Sequence, residues 1–348
     1  MRKTLLAVAV SAAVSLGACS DANDSSTTEN KTASTEASKD SSQQAKETNP
    51  FYKPSPLLYQ APDFDAIEFK HFEPAFEKGM EEHMAEIEAI ANNSAEPTFE
   101  NTIVAMEKSG AILGRVSSVF YNLSSSNSNE QIRELQGKLA PKLAAHSDNI
   151  RLNAKLFARI KSLHDKRDEL ELDTASERLL EDTYKGFVRA GAELNEDEQQ
   201  QIRDVNSQLS SLTTEFRNSL MKLTKENVIV VDSKEELAGL SDSQISSLAS
   251  AAESRDMPGK YAITLTNTTR QSILTDLENR ELRQRIWEAS SNRGTGNTET
   301  DTRPMVAKLT QLRAEKANLL GYDTWGDYVL EENMAGNPEA AQKMLRDR

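Results

Sequence analysis

From Asn195 onward the apolar residues Ile202, Val205, Leu209, Leu212, Phe216, Leu220 and Leu223 alternate steps of three and four. That spacing lays them along one stripe of a helix, and the pattern is sustained for about six turns or more. A seam of this length must be covered. The reading adopted is one long helix packed as core against a neighbour in the same chain; a dimerisation zipper needs sustained complementary charge beside the seam, which is not evident. The rest of the chain is also written for helix. Only 14 glycines and 10 prolines occur in 348 residues, against ordinary usage of roughly 7% and 5%, while 28% of residues are charged. The expected fold class is mostly α, with a small β-ribbon.

After Asn49-Pro50, the prolines from Pro54 to Pro62 predict an extended arm. Phe76, Met80, Met84, Ile87 and Ile90 place one apolar stripe on a first helix ending near Asn92. Further helices are expected from a start capped by Thr98, over Gly110 to Leu123, over Asn129 to Asp148 with a bend at Pro141, over Ile150 to His164, and over Ser176 to Ala190 with Gly191 as its left-handed stop. Val228 to Val231 and Tyr261 to Leu265 are strand candidates that pair as a ribbon. Between them two capping boxes are expected, Ser233 with Glu236 and Ser241 with Gln244. Helices resume near Arg270, run from Pro304 to Leu320 with Gly321 as the stop, and continue past Asp323 as a cap, with Trp325 and Tyr328 on one face. A last helical pattern covers Pro338 to Leu345.

The amino terminus reads as an address. Arg2 and Lys3 precede an apolar run from Leu5 to Leu16, too short to span a bilayer but of secretory proportions. It ends in Leu16-Gly17-Ala18-Cys19, which resembles a bacterial lipobox. Residues 1–18 are therefore expected to be a lipoprotein signal peptide and Cys19, the single cysteine of the chain, the lipidated residue; an ordinary cleaved signal is the alternative. Ser20 after the cysteine points to the outer membrane, facing the periplasm. Residues 19–48 hold no Val, Leu, Ile, Met or aromatic residue, so little offsets the entropy of ordering them, and they are expected to be a disordered tether. The folded part is then 49–348.

Composition and spacing exclude several chemistries. With 41 basic against 55 acidic side chains, a net −14, the chain repels phosphate backbones, and nucleic acid is excluded as a partner. One cysteine allows neither an internal disulfide nor a Cys-rich zinc site. The histidines are His71, His83, His146 and His164, and no two are four apart, so the device that sets two imidazoles on one helix turn is missing. Glu68-x-x-His71 has the spacing of half a di-iron site but lacks a second pair, and His71 is read as structural. Gly294-Thr295-Gly296 lacks the third glycine and leading strand of a dinucleotide loop. No serine stands in a nucleophile elbow. Glu171, Glu177, Glu181, Asp182 and Glu196 to Glu198 read as solvated helix faces. From the residues alone, no catalytic, cofactor-binding or metal-binding residue is assigned.

Several blocks nonetheless resemble a known family. Pro62-Asp63-Phe64-Asp65, then His71-Phe72-Glu73-Pro74-Ala75-Phe76-Glu77-Lys78-Gly79-Met80, then Pro97-Thr98-Phe99-Glu100-Asn101-Thr102-Ile103 are similar, in this order, to the opening of the thimet oligopeptidase family of zinc metallopeptidases. Tyr184-Lys185-Gly186-Phe187-Val188-Arg189-Ala190-Gly191-Ala192 and Leu312-Arg313-Ala314-Glu315-Lys316-Ala317-Asn318-Leu319-Leu320-Gly321-Tyr322, with Glu332-Asn333-Met334-Ala335 beyond, resemble its dipeptidyl carboxypeptidase branch.

The resemblance implies the helical lobe of a channelled ellipsoid. It also implies a zinc-dependent peptidyl-dipeptidase that acts on short peptides, monomeric when complete, and one wall of whose channel is formed by this amino-terminal half. The family's zinc ligands lie past the matched region, so no catalytic residue is carried over, and the 348 residues alone are expected to hold no zinc and to be inactive. The competing expectation is a non-catalytic helical envelope lipoprotein that binds peptides or a partner.

Overall fold

The computed structural model describes residues 49–295 and 301–347. The signal segment, Cys19, the tether and Gly296 lie outside the described residues.

The described chain opens by anchoring itself. Asn49 caps a 3-10 turn at Pro50–Tyr52, its Oδ1 accepting from the Phe51 N–H at 3.1 Å while its Nδ2 donates to the His71 carbonyl at 2.7 Å. Phe51 is thereby seated on Phe72, their ring centroids 5.4 Å apart. The proline arm is not uniformly extended as predicted: a second 3-10 turn at Leu58–Gln60 puts Tyr59 and Gln60 at φ 57° and 55°.

Helices α1 (Phe72–Ala91), α2 (Ala105–Lys108), α3 (Ala111–Ser126), α4 (Glu130–Arg151), α5 (Ala154–Asp165) and α6 (Thr174–Ala190) follow. Their starts obey the capping chemistry of short polar side chains: Asn129, Asn153 and Asp173 each accept from the backbone N–H three residues on. Thr98 caps as expected, but what it opens is a π-helical stretch, Phe99–Val104, leading into α2. Pro141 lies inside α4 without ending it, and α4 runs past Asp148 to Arg151. Gly191, at φ 103°, ends α6 as expected.

The long helix is α7 (Glu196–Glu226), opened by a reciprocal Asn195–Glu198 capping box. It packs along α4 and α11 (Arg303–Leu319). The predicted stripe is only partly core. Ile202, Val205 and Leu223 are buried, but Leu209, Leu212, Phe216 and Leu220 are half-buried. Of these four, Leu209 lines a hollow.

Strands β1 (Val228–Val231) and β2 (Tyr261–Thr264) form the antiparallel ribbon, Val228 opposite Thr264 and Val231 opposite Tyr261. Of the two predicted boxes only Ser241–Gln244 forms, opening α8 (Asp242–Glu253); Glu235–Leu237 is a 3-10 turn with no side-chain cap. α9 (Asn267–Asp276) and α10 (Arg280–Ser291) complete a separate apolar cluster around Val231, Leu237, Ile263, Leu265 and Ile286. Two further clusters hold the helical body. One joins α1, α5 and α6 around Ile87, Ile103, Leu156, Ile160 and Leu180, and the other joins the arm, α1, α3 and α4 around Phe72, Phe76, Val116, Phe120 and Leu139.

After α11 come α12 (Trp325–Leu330) and α13 (Pro338–Arg346). The cap of α12 is Thr324 in a box with Asp327, one residue after the expected Asp323. The threonine hydroxyl reaches the Asp327 N–H at 3.2 Å. Arg189, near the end of α6, clamps this region: it donates to the Tyr322 hydroxyl at 3.0 Å, to the Tyr328 carbonyl at 2.6 Å and to the Glu331 carboxylate, with its guanidinium 4.5 Å from the Tyr328 ring centroid.

Candidate functional site

The helix that organises the site is α4. Its apolar positions Ile132, Leu135 and Leu139 are buried, which turns Ala144, Ser147, Asp148 and Arg151 toward α6, α7 and α11. Three hollows follow one another along it. The first, about 450 Å³, lies between Leu143, Leu209, Arg217, Arg313 and Trp325. The second, about 410 Å³, lies between Asp148, Arg151, Arg189, Asn206, Lys316 and Tyr328. The third, about 450 Å³, lies between His83, Glu107, His146, Ile150, Asp182 and Phe187. Ala144 lines the first two, and Ser147 and Arg151 line the last two. They therefore form one trough. From Gln136 to Arg151 the helix rises about 22 Å, the reach of roughly six or seven residues of extended chain.

The first hollow is mixed, with Leu143, Leu209 and Trp325 beside Thr213, Arg217 and Arg313. Trp325 carries Arg313 5.7 Å from its ring centroid, and the half-covered stripe of α7 supplies Leu209. The middle hollow is polar and ionic. Asn206 of α7 stands at its centre: its Oδ1 accepts from Lys316 Nζ at 2.6 Å and its Nδ2 donates to Asp148 Oδ1 at 2.8 Å. Burial pushes the Asp148 carboxyl up against the pull of the Asn206 hydrogen bond and the Lys316, Arg203 and Arg151 charges. Burial pulls the Lys316 ammonium down, with Asp148 opposing and Arg151 reinforcing.

At the third hollow His83 and His146 meet, Nδ1 to Nε2 at 3.0 Å. Burial holds both imidazoles below their ordinary value, countered at His83 by Glu86 and reinforced at His146 by His83. The other histidines lie apart from the trough. His71 Nδ1 accepts from the Glu68 N–H at 2.9 Å, so the Glu-x-x-His spacing serves a reciprocal cap. His164 Nε2 lies 2.8 Å from Glu181 Oε2, with its ring stacked 3.8 Å from that of Tyr184.

Among the described residues no group of three or more His, Cys, Asp or Glu is placed to hold a metal ion. The facing nitrogens of His83 and His146 are spent on each other. The described residues thus do not fit the zinc that the resemblance implies. No described helix is long and apolar enough to cross a membrane.

The acidic runs act locally. Glu198 closes the α7 cap, Glu181 pairs with His164 and Lys185, and Asp182 pairs with Arg178 at 2.8 Å. A further hollow of about 780 Å³ lies under the proline arm, where Arg115 Nε donates to the Phe51 carbonyl at 3.0 Å. The sequence reading missed the trough. Its signal was Trp325 and Tyr328, expected on one helix face; both are half-buried, one in each of two adjoining hollows.

The sequence pattern of peptidase family M3 matches residues 273–348, a stretch that includes Lys316 and Tyr328 of the trough wall. The chain belongs to this family. It is 37% identical over 299 residues to a dipeptidyl carboxypeptidase of Escherichia coli strain K12, and 37% over 299 residues to that of Salmonella typhimurium; each match covers 86% of this chain and 44% of the relative. To oligopeptidase A of Salmonella typhimurium it is 26% identical, over 84% of this chain and 44% of the relative. The chain thus spans less than half the length of these curated relatives.

Proposed function

We propose that the chain is the amino-terminal part of a zinc-dependent peptidyl-dipeptidase that releases dipeptides from the carboxyl ends of short peptides, and that the trough along α4 is the surface it presents to them. The observation that carries this reading is the 37% identity to dipeptidyl carboxypeptidases over 86% of the chain. The trough supports it physically: it has the length of a short extended peptide, with the Trp325 and Leu209 side chains at one end and a polar centre. The hydrolytic zinc is held by polypeptide outside the described residues. The chain's own residues bind and align the peptide, and the complete protein acts as a monomer.

Cys19 is the proposed acylation site. Two or more acyl chains, at about 0.8 kcal/mol per buried CH₂, anchor a protein durably, here at the outer membrane facing the periplasm. The experiment is to express the gene with all in-frame downstream codons and assay the product on an N-blocked tripeptide. Release of the carboxyl-terminal dipeptide, abolished by a chelator, is expected. A product that leaves the tripeptide intact refutes the assignment.

A further inference from the structure

The middle of the trough carries a charge imbalance. Lys316 is half-buried, and its ammonium has three hydrogens to place. Among the described residues one goes to Asn206 Oδ1 at 2.6 Å, and the Tyr328 ring centroid stands 5.9 Å away. Arg151 lines the same hollow, donating to the Gly186 carbonyl at 3.1 Å. Neither cation forms an ion pair among the described residues. Arg189, the third cation, is committed to Glu331. The one acid lining this hollow, Asp148, is turned to the Asn206 amide. Two uncommitted cations against one carboxylate leave a surplus of one positive charge in a chain whose net charge is −14.

We propose that this centre is a subsite for one side-chain carboxylate, so that the trough prefers peptides with a Glu or Asp at the residue lying over Lys316 and Arg151. The proposal rests on the trough being the peptide surface. Three features select this ligand. A surplus of one charge matches a single carboxylate, whereas a phosphate monoester, with about −1.5 to −2 near pH 7, would overbalance it. Arg151 and Lys316 line the hollow from two different helices, α4 and α11, and charge-assisted hydrogen bonds of this kind are the strong ones. The trough also continues past this point in both directions, toward Trp325 and toward His146, so an extended peptide keeps going on either side. The carboxylate met here therefore belongs to a side chain.

The test uses the full 348-residue chain and three blocked alanine heptapeptides, each read by calorimetry at low salt. One carries a central glutamate, one a central glutamine, and one the glutamine with a free carboxyl terminus. The glutamate peptide is expected to bind at least ten-fold more tightly than its glutamine twin. Lys316→Met should bring that ratio close to one by weakening the glutamate peptide more than its glutamine twin. Arg151→Gln, a second variant on the other helix, should also reduce it, with circular dichroism melts checking that both fold.

Equal binding of the glutamate and glutamine peptides by the unaltered chain overturns the subsite and leaves the trough standing. A preference untouched by either substitution overturns it too. A free-terminus peptide binding as tightly as the glutamate peptide assigns the cations to a chain end instead, and refutes the side-chain claim. Binding of none of the three refutes the trough itself.

Discussion

Lys316 and Asp148 are joined through one amide: Asn206 accepts from the ammonium at 2.6 Å and donates to the carboxylate at 2.8 Å. The bridge spans three helices, α11, α7 and α4, and fixes the floor of the trough. Replacing it with a side chain of similar size, Asn206→Leu, strands both ionic groups without a partner. Leaving a buried polar group unsatisfied costs about 1–3 kcal/mol. The unfolding free energy should fall by that amount, seen as a lower urea midpoint with an unchanged slope. A midpoint equal to that of the unaltered chain would show that the bridge does not hold these helices.

Tyr322 gives the Arg189 clamp a spectroscopic handle. Its hydroxyl accepts from Arg189 and donates to Glu331 at 2.6 Å, and burial, with the Glu331 hydrogen bond, pushes the phenol up to about 12. In a stopped-flow pH jump, monitored before unfolding, one of the 7 tyrosines should ionise last, near 12. Tyr322→Phe should remove that phase.

Gly79 marks where α1 and α3 come closest. A methyl there would meet the Leu113 backbone, N at 2.8 Å and Cα at 2.9 Å, and backbone cannot swing away as a side chain does. Overpacking of this kind costs roughly 1–3 kcal/mol, against about 1 kcal/mol that alanine returns as a better helix former. Gly79→Ala should therefore lose up to about 2 kcal/mol by denaturant titration. A gain in stability would mean that the helices slide apart freely.

The His83–His146 pair predicts an acid-sensitive fold. Both imidazoles titrate below their ordinary 6.5 in the folded chain, so as pH falls through that value the unfolded chain takes up protons first. Linkage then requires folded stability to drop from about pH 6.5 downward and to be intact above it. Tm measured between about pH 8 and 5 should show this, and His146→Asn should flatten the profile below about 6.5. A slope unaltered by the substitution would trace the acid sensitivity to other groups.

The helices were legible where local chemistry decides. Periodicity and caps placed α1, α6, α7 and the β-ribbon, and Gly191 marked its stop. Errors fell where tertiary context decides. Thr324 displaced Asp323 as a cap because its hydroxyl reaches the Asp327 N–H at 3.2 Å, and Ser233 lost its box because the segment folds as a 3-10 turn. The trough was not legible, since Asp148, Asn206 and Lys316 are separated by 58 and 110 residues and each looks ordinary on its own helix. Resemblance supplied the family that periodicity could not.

The Arg189 clamp sets an order on biosynthesis. Its partners Tyr322, Tyr328 and Glu331 lie 133, 139 and 142 residues downstream, which a ribosome working at about 5–20 residues per second reaches on the order of ten seconds later. During that interval the guanidinium of a nascent chain has only water and passing partners to bind. Closure of α6 onto α12 is then a late event in the making of the fold.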